Sequence, residues 1–335
     1  MTALDDVRPP AAPARRGDAR GRASDLLTGP LRALLALLLR TALTLLGLLT
    51  LLFFLVRLKG DPAGVLAGPS ATPEQLDEIR AAYGLDRSLL AQYLDFLGDT
   101  ARLDFGTSVF SGQPALEAAL AALPATLVLI FATMVLSVLL GIPAGMALHR
   151  GPRPVRVVLS GLLTLGQAVP AFVIGVGLSA VLAVRLGWLP AFGSGTAATL
   201  VMPTVTLALF AIARTARMVD AELDLVEQHD FLRTAAAKGA SARRVAWRHA
   251  LPNAFPAVAA ALVVETSYLI SGAVVVEVLF AYDGIGKRLV DAIFARDYPV
   301  VQASVFAIGV VVIVINVIGD ALLRALDPRT GRAAA

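Results

Sequence analysis

The stretch PATLVLIFATMVLSVLLGIPAGMAL, from Pro124 to Leu148, contains no charged side chain. A helix needs about 20 mostly apolar residues to cross the roughly 30 Å hydrocarbon core of a bilayer. Because lipid offers no hydrogen-bond partners to an unpaired backbone, an apolar run of this length crosses as a helix. The stretch therefore predicts that the chain is embedded in a membrane.

The composition of the whole chain agrees with this prediction. Of its 335 residues, 57% are hydrophobic and 16% charged, and the mean hydropathy is +0.75. These values exclude a water-soluble globular protein. Six apolar runs are long enough to cross: Leu34–Leu58, Pro124–Leu148, Val157–Leu186, Leu200–Met218, Phe255–Leu279 and Val301–Leu323. We therefore predict an all-α polytopic membrane protein with six transmembrane helices.

Basic side chains indicate which ends of the spans face the cytoplasm. Arginines are concentrated in the N-terminal segment 1–30 and in the turn after the second span, at Arg150, Arg153 and Arg156. Cytoplasmic loops carry an excess of lysine and arginine near the ends of spans. We therefore expect both termini in the cytoplasm. Residues 1–30 are expected to be a disordered tail, because they are rich in Ala, Arg, Pro and Gly without apolar periodicity, and residues 326–335 a second tail.

Residues 59–123, between the first two spans, are predicted to form a small helical segment outside the membrane. Thr72-Pro73-Glu74-Gln75 has an N-cap threonine, a proline at the first helical position and a glutamine at the capping-box position. This pattern predicts a helix that ends near Tyr83. Two further helices are expected at Ser88–Leu97 and Pro114–Leu123, the second leading into the membrane.

A basic, alanine-rich segment, FLRTAAAKGASARRVAWRHALPNA from Phe231 to Ala254, lies between two apolar runs. Asp230 suits the positive end of a helix dipole and Lys238 the negative end. Gly239 can supply the left-handed residue that ends this helix, and Ser241 can cap a second one. We predict two cytoplasmic helices joined at a glycine corner. By composition alone they are either a solvated connector or a docking surface.

Four residues within the predicted spans are candidates for a translocation path. Glu265 and Glu277 are ionisable, and ionisable groups inside a membrane are costly and usually functional. Gln167 is polar, and Pro170 should kink the third span because it removes a backbone hydrogen bond. Burial against a polar neighbour would equally explain Glu265, and helix packing would equally explain Pro170.

The sequence lacks the motifs of the common enzyme classes. It has no phosphate-binding G-x-x-x-x-G-K-[ST] loop, no dinucleotide fingerprint, no H-E-x-x-H pair and no nucleophile elbow. It has no cysteine, which excludes disulfides and thiolate metal sites. We therefore expect no catalytic residues, no cofactor and no metal site. Nucleic acid is not an expected partner either, because the arginines follow the membrane topology.

The basic segment carries a family signature. Arg233-Thr234-Ala235, Gly239 and His249-Ala250-Leu251-Pro252 resemble the signature of ATP-binding-cassette (ABC) importer permeases. That signature is usually written E-A-A-x-x-x-G, followed nine residues later by I-x-L-P. Arg233 in place of glutamate and His249 in place of isoleucine are typical of the dipeptide, oligopeptide and nickel branch.

The resemblance covers almost all of the chain after about Leu31. It includes Gly60–Pro62, Ala71–Gly98, Asp104–Ser108, Leu186–Gly193, Val274–Ala303 and Ala325–Arg329. Several motifs in the family's order make this resemblance far more specific than any single short pattern.

The resemblance implies the type I ABC importer permease fold, with a first transmembrane helix at residues 31–58, the extracytoplasmic helical insertion and a permease core at 124–325. It also implies that coupling helices at 228–250 seat in a groove of an ATPase subunit. Thr234 and Lys238 would belong to the docking face, and Pro252 would anchor its exit into the membrane. The residues expected to couple to the ATPase are Asp230, Arg233, Thr234, Ala235, Lys238, Gly239, Arg243, Arg244, His249, Leu251 and Pro252.

The implied function is that of a permease subunit in an ATP-driven importer for peptides or related solutes. Its implied partners are a second homologous permease subunit, two ATPase subunits, an extracytoplasmic substrate-binding protein and the lipid bilayer. Two rival functions remain open from the sequence. One is a stand-alone ion-coupled secondary transporter that uses Glu265 and Glu277, although no internal repeat supports it. The other is a membrane scaffold that transports nothing.

Overall fold

The computed structural model describes residues 39–55, 63–64, 71–82 and 84–326. The predicted tails, residues 1–30 and 326–335, lie outside the described residues apart from Leu326. The chain divides into two units, Met1–Leu48 and Leu49–Ala335, which are described separately. The described part of the first unit is the start of one apolar helix, and all other described elements belong to the second unit.

The described residues are almost entirely helical. The helices are α1 (Leu39–Leu55), α2 (Pro73–Ala82), α3 (Leu89–Ala101), α4 (Ala115–Arg150), α5 (Arg153–Ala168), α6 (Ala171–Arg185), α7 (Ala197–Val226), α8 (Asp230–Ala237), α9 (Ala242–Leu279), α10 (Ile285–Ala295) and α11 (Tyr298–Leu326). Extended pairing in this part of the chain is confined to one bridge between Thr107 and Pro114. The predicted all-α fold class is confirmed.

Four helices of the described residues, α4, α7, α9 and α11, are long and apolar enough to cross a membrane. The α5–α6 pair makes a fifth crossing if its two helices form one span. The predicted count of six is not confirmed, because α1 is shorter than a full crossing as described. The rest of the predicted span Leu34–Leu58 lies outside the described residues.

The third predicted span is broken at Pro170. Its two helices, α5 and α6, are bent by 102° relative to each other. Val169 and Pro170 both have extended backbone angles, with ψ at 124° and 139°. A proline disfavours the helical conformation of the residue before it, and it cannot donate a backbone hydrogen bond. The predicted kink is therefore present, but as a sharp break between two helices.

Two predicted helix boundaries are wrong. The helix expected at Pro114–Leu123 is the beginning of α4, which continues through Pro124 and Pro143. The helix expected after Ser241 is likewise continuous with the fifth span, so that α9 runs unbroken from Ala242. A proline weakens a helix locally, but side-chain packing along a long helix can offset the lost hydrogen bond.

Small residues bring α4 and α7 into close contact. A Cβ atom added at Gly145 would lie 2.6 Å from the carbonyl oxygen of Ala216 and 2.6 Å from Cβ of Val219. Gly141 is similarly close to Thr215, whose hydroxyl is 2.9 Å from that of Ser137. Glycines four residues apart let helix backbones approach in a membrane, where the hydrophobic effect does not drive association. This contact holds α4 against α7, the helix that supplies half of the residues lining the membrane cavity described below.

The segment between α1 and α4 follows the predicted capping chemistry. Thr72 and Gln75 exchange backbone-to-side-chain hydrogen bonds of 3.0 and 3.4 Å, which completes a capping box at the start of α2. Ser88 caps α3, whose end at Ala101 lies four residues beyond the predicted Leu97. The Ser108 hydroxyl donates a 2.5 Å hydrogen bond to the buried carboxylate of Asp297. That bond ties the loop before α4 to the turn between α10 and α11.

Candidate coupling surface and membrane cavity

The predicted glycine corner follows α8. The backbone N–H of Gly239 donates to the carbonyl of Ala236 at 2.9 Å, and that of Ala240 donates to Ala235 at 3.2 Å. Gly239 has φ of +84°. This pair of bonds with a left-handed residue between them is the Schellman arrangement that ends helices. Ser241 then caps the next helix by accepting a 3.4 Å hydrogen bond from the backbone N–H of Arg244.

A groove of about 610 Å³ lies along this corner. Its lining residues are Phe231, Thr234, Ala235, Lys238, Gly239, Ala240, Arg244, Arg248 and His249. Six of the predicted coupling residues are thus brought together in one concave, basic surface: Thr234, Ala235, Lys238, Gly239, Arg244 and His249. We name this surface the coupling groove.

The other predicted coupling residues lie beside the groove. Asp230 and Arg233 are exposed on α8 and form a surface ion pair of 3.5 Å. Arg243 lines a different cavity, of about 640 Å³, together with Arg150 and Glu227. Leu251 and Pro252 lie within α9, directly after its π-helical turn at Ala246–Ala250.

The groove is attached to the membrane helices through buried apolar side chains. Leu232 of α8 and Val245 and Ala250 of α9 are buried in one cluster with Val219 and Leu223 of α7. Interiors of this kind are close-packed and transmit displacement well. A force applied to the groove is therefore transmitted directly to α7 and α9.

A second candidate site lies between the spans themselves. It is a cavity of about 350 Å³ lined by Gln167, Arg214, Thr215, Arg217, Met218, Ala221, Val258, Ala261, Leu262 and Glu265. Glu265 is fourteen residues from each end of Leu251–Leu279, so it lies midway along the apolar part of α9. We name this space the membrane cavity.

An ion pair forms one wall of the membrane cavity. Nε of Arg214 lies 2.8 Å from Oε2 of Glu265, whose side chain is only 5% exposed. The Arg214 guanidinium also lies 5.0 Å from the ring centroid of Tyr268 and 5.9 Å from that of Phe210. Pairing and contact with aromatic faces both stabilise a cation in a poorly hydrated place. Two predicted path residues, Gln167 and Glu265, share this cavity.

The remaining predicted path residues lie elsewhere. Pro170 is exposed at the break between α5 and α6 and does not line the membrane cavity. Glu277 is fully buried near the C-terminal end of α9. Its carboxylate accepts hydrogen bonds from the Thr126 hydroxyl at 2.5 Å and from the backbone N–H of Lys287 at 3.0 Å.

The Glu277 carboxylate thereby lies at the N-terminus of α10. The Thr126 hydroxyl in turn accepts a 2.9 Å hydrogen bond from the backbone N–H of Ile285. The first N–H groups of a helix have no partner within the helix, and a negative charge beside them is favourable. In this arrangement Glu277 and Thr126 join α4, α9 and α10. Burial and the neighbouring Glu277 raise the pKa of Tyr282.

The C-terminal ends of α4 and α7 carry an ionic cluster that no sequence pattern indicated. Nδ1 of His149 lies 3.4 Å from Asp220 and 3.2 Å from Asp224, and Nε2 lies 3.0 Å from Glu227. Arg150 pairs with the same Glu227 carboxylate. The ligand atoms of His149, Asp220 and Asp224 all lie within 4.8 Å of one another, which is close enough to share one metal ion.

Arg214 was also missed, although the sequence held a signal for it. It is a charged residue inside the predicted apolar run Leu200–Met218, where any ionisable group is a functional candidate. Its pairing with Glu265, on a different helix, cannot be derived from local sequence patterns.

Family models match nearly the whole described chain. The model described as "Binding-protein-dependent transport system inner membrane component" matches residues 137–332. A second model, for the N-terminal part of such membrane components, matches residues 30–130. The first match alone covers more than half of the 335 residues.

Curated relatives and solved structures agree with the family models. The chain is 38% identical over 288 residues to the probable peptide ABC transporter permease protein y4tP of Sinorhizobium fredii (strain NBRC 101917 / NGR234), covering 83% of this chain and 92% of that protein. It is 35% identical over 294 residues to the glutathione transport system permease protein GsiC of Escherichia coli (strain K12), covering 85% and 96%.

A chain of the inward-facing MetNI methionine ABC transporter has the same fold. The TM-score is 0.56 at 19% identity, and the match covers 63% of this chain and 96% of that one. Taken with the apolar spans and the signature residues around Gly239, these similarities show that the protein belongs to the binding-protein-dependent transport system inner membrane components, the permease subunits of ABC importers.

Proposed function

We propose that this permease serves an importer of dipeptides, oligopeptides or related small peptides. The two relatives named above are described as peptide and glutathione permeases, at 38% and 35% identity. The signature around Arg233 and His249 is of the same branch. The family argues against the rival stand-alone secondary transporter, because its members work with a separate binding protein.

We propose further that the coupling groove receives an ATPase subunit. The observation that carries this proposal is the convergence of six signature-segment residues on one basic, concave surface of about 610 Å³. The surface is anchored by buried side chains to the spans α7 and α9. Closure of two ATPase subunits on ATP would therefore move those spans directly.

One permease subunit forms only half of the translocation path, and the other proposed partners follow from this. A second homologous permease subunit completes the translocation path, and a substrate-binding protein delivers cargo to residues 59–123 on the outer side. The permease core is residues 124–325, and Gln167 and Glu265 in the membrane cavity face the path. In this orientation both termini and the coupling segment 228–250 lie in the cytoplasm, at the plasma membrane of the cell.

A pair of substitutions at Gly239 tests the coupling assignment. No neighbouring atom lies within 4 Å of a Cβ atom built there, so only the backbone angle, φ of +84°, opposes a side chain. Valine is strongly disfavoured in this left-handed region, whereas asparagine tolerates it. We expect Gly239→Val to lower ATP-driven uptake at least tenfold and Gly239→Asn to keep most of it.

The measurement is uptake of labelled dipeptide into proteoliposomes that hold the full transporter and its binding protein. ATP hydrolysis and the amount of assembled complex are measured on the same samples. Equal uptake by the valine and asparagine variants, at equal assembly, would contradict the coupling role of this corner. Uptake by the wild type without any ATPase subunit would contradict the proposed function as a whole.

A further inference from the structure

A residue that lines the membrane cavity, Glu265, has a buried hydrogen-bond acceptor without a partner among the described residues. One carboxylate oxygen of Glu265, Oε2, pairs with Arg214 at 2.8 Å. The other, Oε1, is buried and has no hydrogen-bond partner among the described residues. The Glu265 residue is 3% exposed and lines the cavity. Buried polar atoms are nearly always hydrogen-bonded in native proteins, so an exception needs an explanation.

The Glu277 carboxylate shows what a purely structural glutamate looks like in this same helix. Both of its oxygens accept hydrogen bonds, from Thr126 and from the backbone of Lys287. Glycines at 284 and 286 leave room for it, since a Cβ atom at Gly286 would lie 2.8 Å from its Oε2. Glu265 instead lines the membrane cavity, and its Oε1 is covered by protein without a hydrogen-bond partner among the described residues. A rotation of the side chain would present this oxygen to a ligand in the cavity.

The positively charged partner of Glu265, Arg214, also has N–H donors beyond the one that forms the ion pair. A guanidinium has five N–H donors in a planar fork, and Arg214 makes its ion pair with Glu265 through Nε. The aromatic faces of Tyr268 and Phe210 hold the rest of the group without accepting a conventional hydrogen bond. The other N–H groups of Arg214 make no hydrogen bond among the described residues, and a guanidinium is well suited to bind a carboxylate.

We propose that Glu265 and Arg214 form a binding subsite for zwitterionic cargo within the membrane. Oε1 of Glu265 accepts a hydrogen bond from the α-ammonium group of the cargo, and the free N–H groups of Arg214 donate to its carboxylate. The amide of Gln167, on the same cavity wall, can bind the peptide group between them. The cavity volume of about 350 Å³ is within the range of small-molecule sites. This inference rests on the proposed peptide cargo.

The test measures binding to the membrane complex alone. The complex of both permeases and both ATPases is placed in nanodiscs without the binding protein. Equilibrium dialysis then gives the dissociation constants of labelled dialanine and of its N-acetylated and C-amidated forms. We expect the wild-type complex to bind dialanine at least tenfold more tightly than either blocked form, because each block removes one charged contact.

Two variants assign the contacts. Glu265→Gln should weaken dialanine binding at least tenfold, while it leaves the dissociation constant of N-acetyl-dialanine within about twofold, since a charge-assisted hydrogen bond is roughly twice as strong as a neutral one. Arg214→Lys should reduce the preference for a free carboxylate over the C-amide. Asp320→Asn is the matched control, because this exposed carboxylate of α11 does not line the cavity.

Several results would overturn the proposal. Equal binding of dialanine and its blocked forms to the wild type would do so without any variant. Equal loss of all three ligands in Glu265→Gln, or no binding to the wild type, would also do so. In the last case, ATP-driven uptake of dialanine by the complete transporter would show that the peptide function stands and that only the subsite is wrong.

Discussion

At the scale of single residues, glutamates on the same helix have different surroundings. Glu277 is fully buried, and its hydrogen bonds join the start of α10 to α4 and α9. Glu265 lines a cavity, with one carboxylate oxygen paired to Arg214 and the other buried without a hydrogen-bond partner among the described residues. Ionisable groups inside a membrane are costly, and hydrogen-bond satisfaction indicates whether each serves structure or binding.

The structural role of Glu277 predicts that Glu277→Gln destabilises the protein. Glu277→Gln replaces one accepting oxygen with an NH₂ group, so that a buried donor on Thr126 or Lys287 loses its partner. We expect a loss of about 1–3 kcal/mol in the free energy of unfolding. The measurement is thermal unfolding of the purified transporter in detergent, with Asp320→Asn as the control. An unchanged unfolding midpoint in Glu277→Gln would contradict the structural role.

The sequence predicted parts of the site and missed others for a physical reason. Gly239, Ser241 and the Thr72 cap act within a few residues of chain, so local chemistry specified them correctly. The partner of Glu265 lies 51 residues away, and the contacts of His149 lie on another helix. Such pairs depend on how helices pack, which local patterns do not encode.

At the scale of helices, close packing overrode local signals that would end a helix. Pro124 lies well inside α4, and the polar stretch after Ser241 belongs to the same helix as the fifth span. Pro170, by contrast, interrupts a predicted span, and the residue before it is also extended. Helix type was therefore predictable from composition, whereas helix ends depended on contacts with neighbouring helices.

The contact between α4 and α7 supplies a prediction at this scale. Gly145→Val would place a side chain against Ala216 and Val219, where even a Cβ atom would lie 2.6 Å from both. Overpacking of this kind costs about 1–3 kcal/mol. We expect a lower unfolding temperature and less assembled complex.

Gly161→Val is the matched control, because it makes the same substitution within α5 at a place where no atom lies within 4 Å. Both variants carry the same cost of a β-branched residue in a helix. If the two variants were equally stable, the close approach of α4 to α7 would contribute nothing measurable to the stability of the protein.

At the scale of the whole molecule, α4 links the two ends of the permease core. Its first residue, Ala115, donates a backbone hydrogen bond to Gly106 of the preceding loop at 2.9 Å. Its last residue, Arg150, lines a cavity with Arg243 and Trp247 beside the coupling segment. With 36 residues, the helix is about 54 Å long, which exceeds the thickness of the hydrocarbon core. The two ends therefore lie on opposite sides of the membrane.

Single cysteines test this sidedness cleanly, because the chain has none of its own. Ser111→Cys in the outer loop should react with a membrane-impermeant thiol reagent in intact spheroplasts. Ala237→Cys in α8 should react only after the membrane is permeabilised. Both positions are exposed, so the access of the reagent to each cysteine depends on the side of the membrane where it lies. Labelling of Ala237→Cys in sealed cells would reverse the proposed topology.

The unbroken course of α9 has a mechanical consequence. Its 38 residues form a rod about 57 Å long, with the proposed ATPase-binding surface at one end and Glu277, beside the N-terminus of α10, near the other. If the outer end acts as a pivot, a tilt of about 10° swings the inner end by about 10 Å and the carboxylate at position 265 by about 4 Å. That second displacement exceeds the length of a hydrogen bond. A rigid tilt of this size would then be enough to release a small ligand bound midway across the membrane.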